Sequence, residues 1–294
     1  MRTLSIATLM AGLVLSPIAM TQAAGQERAA ERTERNRPAE WAYGQDDKQK
    51  LDFWRAEGTA RPAPLILFVH GGGWKRGDKR NATGSAKVDH FLSQGYAVAS
   101  INYRLVPEHR VEDQAADVAA AFAWIRRNAA QLNIDPARII LMGHSAGAHL
   151  VALVGTDPAY ARAAGFSLSD IRGVVPLDGA AYDVALQMDG RNRMMQSTYE
   201  QAFGTDPARQ RALSPTLHAA APNAPAFLIL HVQRSDGTEQ SRKLAEALKS
   251  SGTAVELHGI EGRGLIGHMQ INRKLGEADY PATPIVDRWL KTRI

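Results

Sequence analysis

The sequence predicts an α/β fold with a mostly parallel central sheet flanked by helices and a small cap segment. Two observations predict it. Apolar runs of strand length recur at residues 64–69, 96–101, 138–142, 173–177 and 226–232 without polar alternation, which marks strands buried on both faces. Segments with helical spacing separate several of these runs, and strand–helix–strand alternation implies parallel pairing through right-handed crossovers.

The first 24 residues pair Arg2 with a mostly apolar run from Leu4 to Met20 and the small residues Ala23, Ala24 and Gly25. That pattern predicts a signal peptide cut after Ala23 or Ala24, and with it a periplasmic or secreted protein without a stable membrane anchor. Residues 25–40 are charged and Ala-rich, the composition of a flexible leader. Residues 41–294 then form one folded domain. Lys50-Leu51-Asp52-Phe53-Trp54 fits an edge strand, residues 57–64 a turn-rich connection, and residues 86–94 a helix. Ala116, Ala119, Ala120, Ala123 and Trp124 recur at helical spacing within residues 112–130. Residues 183–203 follow neither period and carry Met188, Met194, Met195 and Tyr199 beside Arg191 and Arg193, which suits a cap over a site, with an ordinary surface helix pair as the alternative. A helix over 239–250, a strand over 253–260, a glycine-softened loop at Gly262, Gly264 and Gly267, and a closing helix over 285–290 complete the chain.

Bulk properties narrow the function. An apolar share of 45% and a charged share of 22% are globular values. The net charge of +5 is scattered rather than clustered, so nucleic acid is not an expected partner. With no cysteine there is no disulfide, thiolate nucleophile or thiolate metal site.

The chemistry sits where the apolar runs end. Residues 138–142 run into Gly143-His144-Ser145-Ala146-Gly147, and an Ala-rich helical stretch follows at once. A serine on a sharp strand–turn–helix corner, between glycines that let strand and helix approach, is a nucleophile elbow. His70-Gly71-Gly72-Gly73-Trp74 after another buried run has the form of a loop that turns backbone N–H groups toward a cavity. The oxyanion donors are therefore expected from Gly71, Gly72 and Ala146, and the pocket walls from Trp74, His144 and Met188. A serine hydroxyl needs a base oriented by an acid. His268, in the glycine-softened loop, is preferred to His258, which lies inside an alternating strand. Asp236, in the turn Ser235-Asp236-Gly237 after a buried run, is the expected acid; Asp178 is its main rival and Glu239 a weaker one.

With Asn102-Tyr103-Arg104-Leu105-Val106-Pro107-Glu108-His109 added, these motifs resemble the α/β-hydrolase family, in particular the hormone-sensitive-lipase-like and bacterial carboxylesterase group. The resemblance runs from about Tyr43 to the C-terminus and implies an α/β-hydrolase catalytic domain. It implies an enzyme that hydrolyses small to medium carboxylic esters through an acyl-serine, without a cofactor. Arylformamidases are similar too, including in the stretch from His268 to Gly276, which leaves formamide hydrolysis as an alternative; a non-catalytic binding protein of the same fold is the remaining one. Val106 replaces the group's usual Ala, and Gln233-Arg234-Ser235-Asp236-Gly237 is an atypical acid loop.

Overall fold

Eight strands in the order β1-β2-β4-β3-β5-β6-β7-β8 make one sheet among the described residues. The computed structural model describes residues 37–294 apart from 57, 59–60, 81–83, 190–194 and 221. The expected signal peptide, most of the expected leader, and Arg191, Arg193 and Met194 of the expected cap lie outside the described residues.

The strands are β1 (Ala39–Ala42), β2 (Lys50–Trp54), β3 (Ala63–Val69), β4 (Ala97–Ile101), β5 (Ile134–His144), β6 (Gly173–Leu177), β7 (Ala226–Gln233) and β8 (Ala254–Arg263). β1 and β2 join antiparallel, β2 pairs antiparallel with β4, and every other pairing is parallel. Each apolar run serves two cores because successive side chains point to opposite faces. Leu65, Leu67 and Val69 of β3 enter one cluster, and Ile66 and Phe68 enter the other. Ile139 and Leu141 of β5 divide from Ile140 and Met142 in the same way.

The helices are α1 (Ser85–Ser93), α2 (Val111–Arg127), α3 (Ala129–Leu132), α4 (Ala146–Thr156), α5 (Pro158–Ala164), α6 (Val184–Met188), α7 (Gln196–Phe203), α8 (Pro207–Ala212), α9 (Pro215–His218), α10 (Ser235–Ser250), α11 (Gly264–Arg273) and α12 (Ala282–Arg293). Helix α4 is buried along its whole length, as its composition of Ala, Leu, Val and Gly requires. Four short helices, α6 to α9, lie between β6 and β7, and the first two fall within residues 183–203, where the cap was expected. Asp183 caps the first of them by accepting the Leu186 N–H at 3.2 Å.

Four expectations need correction. The strand at Lys50–Trp54 is not an edge, because β1 begins inside the expected leader and covers it. Helix α10 starts at Ser235, so Ser235-Asp236-Gly237 is its first turn rather than a loop. His268 lies in helix α11, not in a softened loop. β8 runs on to Arg263 through Gly262, which takes a φ of +135°.

Buried histidines make the fold sensitive to acid. His149 on α4 is fully buried, donates from Nε2 to the Leu213 carbonyl at 2.8 Å and accepts the Trp74 indole N–H at 3.3 Å. Burial pushes it down from the ordinary 6.5 to about 4, with the Leu213 hydrogen bond pulling weakly the other way. The unfolded chain then binds this proton before the folded one does. Stability should therefore be intact above about pH 6.5 and decline toward pH 4, by roughly 3 kcal/mol for this group alone. Thermal unfolding across that range checks it: His149→Gln should flatten the slope, and an unchanged slope contradicts the assignment.

Candidate active site

β5 ends at His144 and α4 begins at Ala146, so the whole reversal falls on Ser145. Its backbone takes φ 56° and ψ −119°, a region that residues with a side chain rarely occupy. The turn holds because its neighbours approach with no room to spare. A methyl group on Gly147 would stand 2.1 Å from the Val69 carbonyl oxygen and 2.5 Å from that of His70. The Ser145 N–H donates to the Leu177 carbonyl at 3.1 Å, extending the β5–β6 pairing through the corner.

His268 meets that serine from α11. Its Nε2 lies 3.0 Å from Ser145 Oγ, and its Nδ1 lies 2.6 Å from Asp178 Oδ2. Asp178, fully buried at the end of β6, accepts the Val232 N–H on Oδ1 at 3.0 Å. Burial opposes ionisation of this carboxyl, yet the hydrogen bond from His268 and the charge of Arg234 hold it below the ordinary carboxylate range. With Nδ1 tied to a carboxylate, Nε2 is the nitrogen free to exchange a proton with Ser145.

His268 is therefore paired with Asp178 and not with Asp236. The reason is the early start of α10. In its first turn, Asp236 accepts the Gly237 N–H at 2.8 Å and faces Arg234 at 3.6 Å. The sequence signal for Asp178 was the one that made it the rival, an aspartate directly after a buried strand and before a glycine. Its backbone φ of 45° has no signature in the sequence.

The glycine-rich loop packs directly on the elbow. A methyl group on Gly71 would stand 2.9 Å from Ser145 Cβ and 2.8 Å from the His144 carbonyl oxygen. Gly72 takes a φ of +126°, which suits glycine alone. Gly71 and the N-terminal end of α4 at Ala146 thus border the serine, where the first N–H groups of a helix have no partner within it. His70 donates within the loop, from Nδ1 to the Gly71 carbonyl at 2.7 Å, and burial lowers it to about 4. Tyr103 stacks on the His70 ring and donates its hydroxyl to the His70 carbonyl at 2.8 Å. Arg104 locks onto the buried Asp117 of α2 at 2.7 and 2.9 Å. The segment after β4 thereby braces the loop.

Two expected pocket walls are braces instead. Trp74 is only 2% exposed and packs against His149, Tyr199 and Phe203. Its carbonyl accepts the Gln114 amide at 2.7 Å. The cap helix α7 therefore leans on the glycine-rich loop through this indole. His144 is buried with its Nε2 2.8 Å from the His268 carbonyl, and its ring lies 4.5 Å from the His268 ring. Burial and the neighbouring His268 hold it well below its ordinary value, so it stays neutral and donates. Met188 is half-buried and packs on the main hydrophobic cluster, as does Met195. Leu265 and Ile266, 71% and 73% exposed, stand in the first turn of the helix that carries His268. Among the described residues there is no group of three or more His, Cys, Asp or Glu able to hold a metal ion. No helix among them is long and apolar enough to cross a membrane.

A mostly parallel sheet with a serine on a strained strand–helix corner, and a histidine and aspartate delivered by later elements, defines the α/β-hydrolase fold of carboxylesterases. The chain belongs to the BD-FAE family, whose model matches residues 51–248. Esterase LipC of Mycobacterium tuberculosis is 33% identical over 222 residues, covering 71% of this chain and 54% of that protein. Esterase LipQ of the same organism is 31% identical over 227 residues, 72% of this chain and 52% of that one. The chain thus spans about half the length of the curated relatives it matches. A butyrate-bound structure of the thermophilic esterase Est2 from Thermogutta terrifontis superposes with a TM-score of 0.70 at 26% identity, covering 88% of this chain and 95% of that one.

The two carboxylates can be separated by exchange. Asp178→Asn should lower kcat for a p-nitrophenyl ester by about 10³–10⁴-fold with little change in KM, because the histidine loses its orienting charge. Asp236→Asn should stay within about tenfold of wild type. The reverse ranking contradicts the geometry.

Proposed function

We propose that this chain hydrolyses small to medium carboxylic esters through an acyl-serine intermediate, with Ser145 as nucleophile, His268 as general base and acid, and Asp178 as the orienting carboxylate. The observation that carries the reading is the unbroken hydrogen-bonded line Ser145 Oγ, His268 Nε2, His268 Nδ1, Asp178 Oδ2, at 3.0 and 2.6 Å. As Oγ attacks the ester carbonyl carbon, its proton passes to Nε2 and the carbonyl oxygen takes the negative charge. N–H groups of Gly71, Gly72 and Ala146 stabilise that charge, each worth on the order of a hundred- to a thousandfold in rate. Collapse breaks the carbon–oxygen bond, and the departing alcohol takes the proton from Nε2. Water then attacks the acyl-serine and gives a proton to Nε2, and the acid leaves as Nε2 passes that proton to Ser145 Oγ.

Support for an ester substrate comes from the esterase names of the relatives and from butyrate in the Est2 structure. The exposed Leu265 and Ile266 beside His268 add apolar surface for an acyl or alcohol group. Ser145→Ala should lose nearly all turnover of p-nitrophenyl acetate and butyrate and all labelling by an organophosphonate, while the far-UV spectrum stays unchanged. Residual rates within about tenfold of wild type contradict the acyl-serine. In a panel that includes N-formylkynurenine, esters should be the better substrates; a preference for the formamide replaces the ester reading.

On the same reading residues 1–24 are a signal peptide and the mature protein is exported. N-terminal sequencing of the protein from its native host should begin at Ala24 or Gly25 in the periplasmic or culture fraction. An intact Met1 in the cytosol contradicts export.

A further inference from the structure

Arg234 follows the last residue of β7 and precedes the first turn of α10. Its Nε donates to Asp178 Oδ2 at 2.9 Å, and its Nη2 reaches the Asp178 and Gly179 carbonyl oxygens at 3.4 and 3.3 Å. Its Nη1 lies 3.6 Å from Asp236 Oδ1. The guanidinium thus lies between two carboxylates, one fully buried and in the site, the other in the helix start behind it. We propose that Arg234 is a positioning residue of this site: it fixes the rotation of the Asp178 carboxylate and offsets part of its charge, and so sets how strongly His268 holds a proton.

Two features of the geometry call for such a residue. A buried carboxylate held by His268 only could turn about its last torsion; three donors on two oxygens leave one orientation. The planar fork of an arginine reaches the carboxylate edge and the two backbone carbonyls together, which a lysine cannot do. Arg234 also shares Oδ2 with His268, so both donors draw on the same oxygen. When His268 becomes an imidazolium during the reaction, the charge that stabilises it is the Asp178 charge that Arg234 has left over.

Other groups face this pair. His144 from β5 is neutral, held so by burial first, then by His268, with Lys87 on α1 adding to the lowering. Tyr182 and Tyr280 both feel the Asp178 charge and are raised by burial, Tyr280 to about 12. Neither ionises between pH 5 and 9. Asp236 faces the guanidinium, so removal of Arg234 leaves two carboxylates without their shared cation.

The proposal rests on the Ser145–His268–Asp178 reading, and the test separates the two. The pH profile of kcat/KM for a p-nitrophenyl ester is measured for the wild-type chain, Arg234→Met, Arg234→Lys and Arg242→Met, the last an exposed arginine on α10 as control. Arg234→Met should lower kcat about ten- to a hundredfold at little cost in KM. The acid limb of its profile should move up by about one pH unit, because the uncompensated Asp178 charge favours the imidazolium. Arg234→Lys keeps the charge without the fork: its acid limb should stay near wild type while kcat falls at least about fivefold. Arg242→Met should match wild type. An Arg234→Met enzyme with an unmoved acid limb, even with a lower melting temperature, makes Arg234 an ordinary structural ion pair and overturns the proposal. If that variant does not fold, a kcat within about twofold of wild type in Arg234→Lys overturns it equally. Wild-type turnover in Asp178→Asn sinks the triad reading itself, whereas an inactive Asp178→Asn beside an unaffected Arg234→Met sinks only the role of Arg234.

Discussion

The contact on which the rest depends is the one between Gly147 and the end of β3. The first turn of α4 lies so close to the Val69 and His70 carbonyls that no side chain fits between them. That approach fixes the angle at which helix leaves strand, and the angle forces Ser145 into its strained corner. It also presses the glycine-rich loop against the serine, with Gly71 admitting no side chain beside Ser145 Cβ. Catalytic geometry here follows from packing in which the smallest residues are the only ones admitted.

Around that corner the polar groups form a second layer with a common task. His144, Tyr103, Arg104, Gln114 and Arg234 each end on a backbone carbonyl or a carboxylate of the site or its supporting elements. Each is an interaction with a group that burial would otherwise leave unsatisfied, so structure and function share the same bonds. His144 is the plainest case. It stands beside the nucleophile in sequence, yet it acts by holding the backbone of His268 from across the sheet.

The sheet was legible in the sequence because its signal is local. β3, β6 and β7 each read as an apolar run bounded by small or polar residues, and the elbow carried its own strand-and-helix context. The serine and the histidine were legible for related reasons, one by motif and the other by elimination among the late histidines. The acid was not. Asp178 and Asp236 both follow buried strands, and which one reaches His268 depends on contacts between residues more than fifty positions apart, such as the Val232 N–H and the Arg234 guanidinium on Asp178. Where α10 begins also decides it, and helix starts are the least readable boundaries when a Ser-Asp-Gly sequence suits a turn equally well. Trp74 misled for a similar reason: an aromatic beside a glycine-rich loop reads as a pocket wall, and only the packing of α7 against it shows a brace.

The central claim is that the proton on His268 Nδ1 is held by Asp178. The far-downfield proton resonance of a histidine–carboxylate hydrogen bond reports that directly. It should be present in the wild-type chain and in Asp236→Asn and absent in Asp178→Asn; a resonance that survives Asp178→Asn and vanishes in Asp236→Asn would contradict the account.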